Sequence, residues 1–284
     1  MKDAKSAQTT KPAAAPDQPA ADQSAQPAPV QPPQNTKPSG MYGPWKTILI
    51  TLFVYFSAQI LAGLVIYAIP SLKHWTQARQ DVWLQNPWVT FVYIIVAEAL
   101  TLVILYKFMK ARKVTFKALG LNKPKAAFIG YTLGAYALYF VVYIVSIIVA
   151  KAVMPGLNLD QKQELGFSDT TRGVSLLPVF ISLVILPPIT EEIVVRGFLF
   201  MGLRSKWAFL PAAVLTSLLF AAAHLGEGGG GGLLWVAGID TFILSLVLCF
   251  LREKTGSLWP GIGVHMIKNG IAFVVLYNIF SYIR

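Results

Sequence analysis

Residues 174–203 read VSLLPVFISLVILPPITEEIVVRGFLFMGL, a run in which Glu191, Glu192 and Arg196 carry all the charge. A helix needs about 20 apolar residues to cross roughly 30 Å of hydrocarbon at about 1.5 Å per residue. This stretch is longer than one crossing requires, and its interior holds Pro187-Pro188 followed by Thr190-Glu191-Glu192. Proline ends or kinks the helix before it, whereas Thr190 is a good N-cap and acids suit the turn that follows. The expectation is two helical pieces, 174–188 and 190–205.

Working outward, further apolar runs occur near 47–69, 88–108, 127–150, 208–224, 233–251 and 257–281. The fold class is therefore all-α, a polytopic transmembrane helical bundle with seven membrane helices, or eight if the Pro187-Pro188 break becomes a turn. The segment 70–87, with Trp75, Trp83 and Trp88 among polar residues, reads as interfacial. Of 284 residues 55% are hydrophobic and 13% charged, where a soluble domain carries about 25% charge. Residues 1–40 differ from the rest, with 9 Ala, 8 Pro and 6 Gln. Such a tail buries too little apolar area to offset its ordering entropy and is expected to be disordered. No apolar segment follows Met1 closely, so the tail is not a signal peptide and the first membrane helix acts as the insertion signal. Residues 41–284 form the transmembrane domain.

One cysteine, Cys249, excludes an intrachain disulfide, a Cys-based zinc site and an iron–sulfur cluster. The net charge of +11 does not point to nucleic acid, because the basic residues sit between apolar runs. Seven Lys and Arg fall between Lys107 and Lys125 with no acid among them. With the N-terminus cytoplasmic, the inner side receives 13 basic residues and the outer side six, which the positive-inside bias favours. The expected location is a cell membrane, crossed several times.

Ionisable groups at bilayer depth cost about 2.5–3.5 kcal/mol each on insertion scales and so mark function. The candidates are Glu98, Glu191, Glu192, Arg196, His224, Asp240, His265 and Lys268, joined by Asn269. Glu192 and Arg196 are four apart and meet on one helix face as an ion pair. Glu191, rotated by about 100°, is expected to look elsewhere and stay available. His265 and Asn269 repeat the four-residue spacing and present two donors on one face. His224 ends another apolar run, one turn after Phe220. Taken singly, each histidine reads as a packed core residue and the glutamates as an ion pair with a neighbour. Taken together they supply a carboxylate, an imidazole and a donor pair, which is what peptide hydrolysis by activated water needs. Other intramembrane mechanisms lack their parts: there is no His-Glu-x-x-His, Asp240 is a lone membrane aspartate, and no serine has a Gly-rich elbow with a histidine base.

Three ordered motifs carry a family likeness: Glu-Glu-x-x-x-Arg (Glu191, Glu192, Arg196), Phe-x-x-x-His (Phe220, His224) and His-x-x-x-Asn (His265, Asn269). With Thr255-Gly256-Ser257-Leu258-Trp259-Pro260 before the third, the region 174–275 resembles the CAAX-processing and bacteriocin-immunity (CPBP, or Abi) intramembrane proteases. The resemblance implies a membrane endopeptidase in which Glu191 and His224 activate water while His265 and Asn269 stabilise the oxyanion. Glu192, Arg196 and Phe220 are implied as supporting residues. The implied partners are a peptide or membrane-protein substrate and the lipid bilayer, with no nucleic acid. No cofactor is required; a divalent metal such as zinc, which takes three protein ligands in a catalytic site, has only Glu191 or Glu192 with both histidines to draw on. The alternative is a non-catalytic Abi-type membrane scaffold or bacteriocin-immunity protein.

Some features stay outside the motifs. Gly228 to Gly232 reads as a flexible connector. Glu98 and Asp240 read as structural, with lining a cavity or pairing with Lys268 as the alternatives and no spacing that assigns a partner. In a simple seven-span arrangement His224 lies near the outer end of its helix and His265 nearer the inner end of its own. One cluster then requires shifted, tilted or broken helices, with the Pro187-Pro188 break the best candidate.

Overall fold

The computed structural model describes residues 40–161, 163, 166–168, 170–226 and 232–279. Among them the regular elements are helical: α1 Pro44–Leu72, α2 Gln77–Leu84, α3 Pro87–Ala111, α4 Ala127–Val153, α5 Gly173–Arg204, α6 Phe209–Leu225, α7 Trp235–Thr255 and α8 Trp259–Leu276. Every apolar run of the sequence is a helix. Six of these helices (α1, α3, α4, α5, α7 and α8) are long and apolar enough to cross a membrane, and α6, at 17 residues, is shorter. The chain is thus a multi-pass membrane protein. The Ala/Pro/Gln tail of residues 1–39 and all but Gly232 of the glycine run lie outside the described residues.

The long α5 does not divide into two pieces, and no eighth membrane helix arises among the described residues. It runs on through Pro187-Pro188 by widening to π geometry at Ile181–Ile185 and again at Glu192–Leu199. The reason lies in the missing donors. Leu186 N–H bonds the Ile181 carbonyl, five residues back. The Leu183 carbonyl then has Pro187 as its α partner and Pro188 as its π partner, and neither has an N–H to give. A neighbouring helix supplies the donor: Asn269 Nδ2 of α8 donates to Leu183 O at 2.9 Å. Membrane helices tolerate proline where other helices re-satisfy the freed backbone. Thr190, expected as an N-cap, is instead buried in the middle of α5.

At one end of the bundle the connections tuck inward. Leu258 N donates to Gly120 O at 3.0 Å, Ser257 Oγ donates to Asn122 Oδ1 at 2.9 Å, and Trp259 Nε1 donates to Asn122 O at 2.6 Å. Both connections press on Gly197 of α5, where an added Cβ would lie 3.1 Å from Leu119 Cβ and 3.3 Å from Leu258 Cδ1. Gly197 is seven residues from the end of α5, about 10 Å along its axis. The N-terminus of α8 therefore starts about 10 Å inside the bundle, and His265, six residues on, lies about 9 Å deeper still. Glu192, twelve residues from Arg204, sits at about 18 Å by the same measure. The inset connection, not a chain reversal at the prolines, brings the histidine to the depth of the glutamates.

The central element is α7, with 56% of its most apolar window buried against 11% in α4. Its last turn is tied to the end of α5 by Arg204 Nη2 and Glu253 Oε1 at 2.6 Å. Gly197→Val is expected to lower the thermal midpoint of the detergent-solubilised protein by an amount equal to about 1–3 kcal/mol. Gly197→Ala is expected to cost less, because a single methyl displaces Leu119 and Leu258 by only tenths of an ångström.

Candidate active site

The motif residues of α5, α6 and α8 converge between the helices. Glu192 and Arg196 form the expected ion pair, Nη1 to Oε1 at 2.8 Å, with side chains 1% and 0% exposed. The Arg196 guanidinium lies over the face of Phe220, 4.4 Å from the ring centroid. Such a contact is worth about 2 kcal/mol or more when desolvated. Phe220 meets His224 edge-to-face at 4.6 Å and His265 at 6.1 Å between centroids. The aromatic ring thus holds the arginine against one face and sets both imidazoles around itself.

His265 is buried and stands between the two glutamates. Its Nδ1 is 3.4 Å from Glu192 Oε1, and its Nε2 is 3.7 Å from Glu191 Oε2. The expectation that Glu191 faces elsewhere is therefore corrected. One imidazole has nitrogens on two sides, so it reaches adjacent carboxylates that a 100° rotation separates. Close approach of α8 is possible because Gly261 carries no side chain: an added Cβ would lie 3.0 Å from Glu192 Oε2. Glu191 differs from Glu192 in access, with its side chain 27% exposed.

His224 has its own constraint. Its Nδ1 lies 2.8 Å from the Phe220 carbonyl, an acceptor only, so Nδ1 must carry the proton and Nε2 of the neutral ring keeps its lone pair. No hydrogen bond or ion pair joins His224 to either glutamate among the described residues. Asn269, expected beside His265 as a donor, spends one amide hydrogen on Leu183 O; the amide has a second.

Several partners were not legible in the sequence. Glu98 of α3 lies beside Thr190 and Glu191. Asp240 of α7 pairs with Lys268 of α8 at 3.0 Å. The Leu183 carbonyl is a site contact whose signal was present, since consecutive prolines at positions four and five beyond it deny it a donor in either helical register.

The cluster holds more polar atoms than protein partners. Glu191 Oε2, Glu192 Oε2, Arg196 Nε and Arg196 Nη2 are buried without a hydrogen bond among the described residues. Such atoms are where ordered water or a polar substrate group binds. The same atoms do not suit a metal: His265 is divided between two carboxylates, Glu192 is taken by Arg196, and among the described residues no three His, Cys, Asp or Glu side chains group to hold an ion.

Fold and site together define a polytopic helical membrane protein with a carboxylate and imidazole centre set among its spans. Residues 173–271 match the family model described as Type II CAAX prenyl endopeptidase Rce1-like, which bears out the likeness read from the three motifs. An Escherichia coli relative described as "Uncharacterized 24.3 kDa protein" is 34% identical over 95 residues, 33% of this chain and 40% of the relative. The chain thus spans well under half the length of that relative. No solved structure matches it significantly.

The proline and asparagine contact makes a measurable cycle. Asn269→Ala alone leaves the Leu183 carbonyl unsatisfied, an expected loss of about 1–3 kcal/mol in unfolding free energy. In a Pro187→Ala, Pro188→Ala background the backbone recovers its donors, and the same substitution is expected to cost far less.

Proposed function

We propose that the protein is an intramembrane endopeptidase in which Glu191 activates water and no protein nucleophile or bound cofactor takes part. The observation that carries this reading is the access of Glu191. It is the glutamate that Arg196 does not take, its side chain is partly open, and its Oε2 faces His265 Nε2 across 3.7 Å.

In this reading Glu191 removes a proton from water as the water attacks the scissile carbonyl. His224, held with Nε2 unprotonated by the Phe220 carbonyl, receives that proton from Glu191 through a water and passes it to the leaving amine as the C–N bond breaks, which returns Glu191 to the carboxylate. The N–H groups of His265 and Asn269 face the developing oxyanion, a placement that counts most where water is excluded. Glu192 and Arg196 orient His265. All these steps use side chains of this chain alone.

The substrate class is membrane-associated peptides, including C-terminal ones. The printed description of the matched family, a prenyl endopeptidase, supports that class. So does an apolar cavity of about 930 Å³ between α4, α6 and α7, lined in part by Ala221 and Leu225 on the same helix as His224. It has room for a hydrocarbon chain. The N-terminus faces the cytoplasm. In support, Arg112 bonds Gly40 O, so the basic 107–125 segment and the start of α1 share an end of the bundle.

Purified wild type, Glu191→Ala and His224→Ala are to be compared on a panel of membrane peptides. Each variant is expected to remain folded and to lose at least about 100-fold in turnover. Equal turnover by all three would remove the proposed chemistry, whereas a cell phenotype that survives Glu191→Gln would favour a scaffold or immunity role. Glu192→Ala is expected to fail differently, through loss of folded protein, because it leaves a buried arginine unpaired at a cost of about 3–5 kcal/mol.

A further inference from the structure

Outside the motifs, three helices meet in one polar contact. Lys268 Nζ of α8 pairs with Asp240 Oδ2 of α7 at 3.0 Å. The Tyr139 hydroxyl of α4 donates to the other oxygen, Asp240 Oδ1, in a short hydrogen bond. Both charged side chains are mostly buried, 24% exposed for Lys268 and 15% for Asp240. Tyr139 is itself 4% exposed and lies in a ladder with Tyr136 and Tyr143. A charge pair placed within spans carries an insertion cost, and neither partner has a part in the water chemistry proposed above.

The place of Lys268 on its helix indicates a use. At about 100° per residue, Lys268 lies about 60° to one side of His265, and Asn269 about 40° to the other. Each of the three reaches a different anchor: Lys268 to α7 and, through Asp240, to α4; His265 to the glutamates of α5; Asn269 to the Leu183 carbonyl. In water the rotation of a helix is set by which stripe is apolar. In lipid that drive is absent, and packing with interhelical hydrogen bonds must set it. Packing adds to these anchors, since Gly263 of α8 sits against Thr132 of α4, where an added Cβ would lie 2.9 Å from Thr132 Cγ2, whereas the apolar residues Ile271, Val275 and Leu276 are exposed and choose no rotation. Two of the three anchors are also temporary. His265 and Asn269 have to release part of their contacts to α5 when they turn to a substrate oxyanion, and at that moment Lys268 is the one of the three that remains, beside the packing of Gly263 on Thr132.

We propose that Lys268, held by Asp240 and Tyr139, is a positioning residue that locks the rotation of α8 and so aims His265 and Asn269 into the site. The catalytic consequence rests on the oxyanion role given to that pair above, whereas the lock itself does not.

The lock is tested in membranes with the full chain carrying Val184→Cys and Gly270→Cys. A Cβ at position 270 lies 3.6 Å from Val184 Cγ1, within the reach of a disulfide, and the native Cys249 is fully buried on another helix. Oxidative cross-linking is expected to be rapid in this background and to slow severalfold with Lys268→Met or Asp240→Asn added. It is expected to be retained with Lys268→Arg, which keeps the charge. Tyr139→Phe, which keeps both charges and threatens folding least, is expected to fall between. In the arm without the two added cysteines, Lys268→Met and Asp240→Asn are expected to lower kcat at least about tenfold with KM unchanged. Lys268→Arg is expected to recover most of that loss. Cross-linking at the wild-type rate in both Asp240→Asn and Tyr139→Phe overturns the lock. Cross-linking that slows while wild type cleaves no peptide upholds the lock and removes the peptidase reading.

Discussion

Inside hydrocarbon no water completes a hydrogen bond, so each charge must find its partner within the chain. The buried pair of Glu192 and Arg196 meets that demand, and the site is arranged around it. Arg196 fixes one oxygen of Glu192, and Glu192 fixes the Nδ1 side of His265. The far nitrogen of the same ring then points to Glu191. Phe220 closes the set by covering the guanidinium face and contacting both imidazoles. Buried ion pairs seldom add stability over well-packed apolar residues, so the worth of this one lies in the geometry it imposes.

The backbone is bent to the same end. A regular α-helix through residues 181–199 has no spare carbonyl to offer a side chain. The prolines create one, and the π-turns let α5 absorb the defect without reversing. On the opposite side of the site, the inset contact of the 119–122 and 256–258 connections with Gly197 raises α8 by about two helical turns. The two irregularities serve one purpose: they let residues from the middle of α5 and the first half of α8 share a level.

What the sequence made legible depended on range along the chain. Apolar runs, the four-residue spacing of Glu192 with Arg196 and that of Phe220 with His224 are local, and the helices realise them directly. The match over residues 173–271 likewise follows motifs that were readable in order. Contacts between helices were not readable. Nothing in spacing joins Asp240 to Lys268, Glu98 to Thr190, or Gly197 to Leu119 and Leu258, because helix rotation and offset decide them. Two local readings also failed. Thr190 has the chemistry of a cap but lies in mid-helix because α5 continues past Pro188, and Glu191, rotated away from Glu192 on the helix, still meets His265 because one imidazole presents nitrogens on two sides.

The short α6 has a consequence for the surrounding lipid. Seventeen residues span about 25 Å, some 5 Å less than the usual hydrocarbon thickness. A bilayer meeting so brief a wall thins locally to match it. His224 is the penultimate residue of that helix, so a bilayer thinned to match α6 brings its headgroup layer closer to the site than the long helices alone would. The dimple shortens the distance that a water molecule or an extended polypeptide must travel through oil to reach the carboxylates.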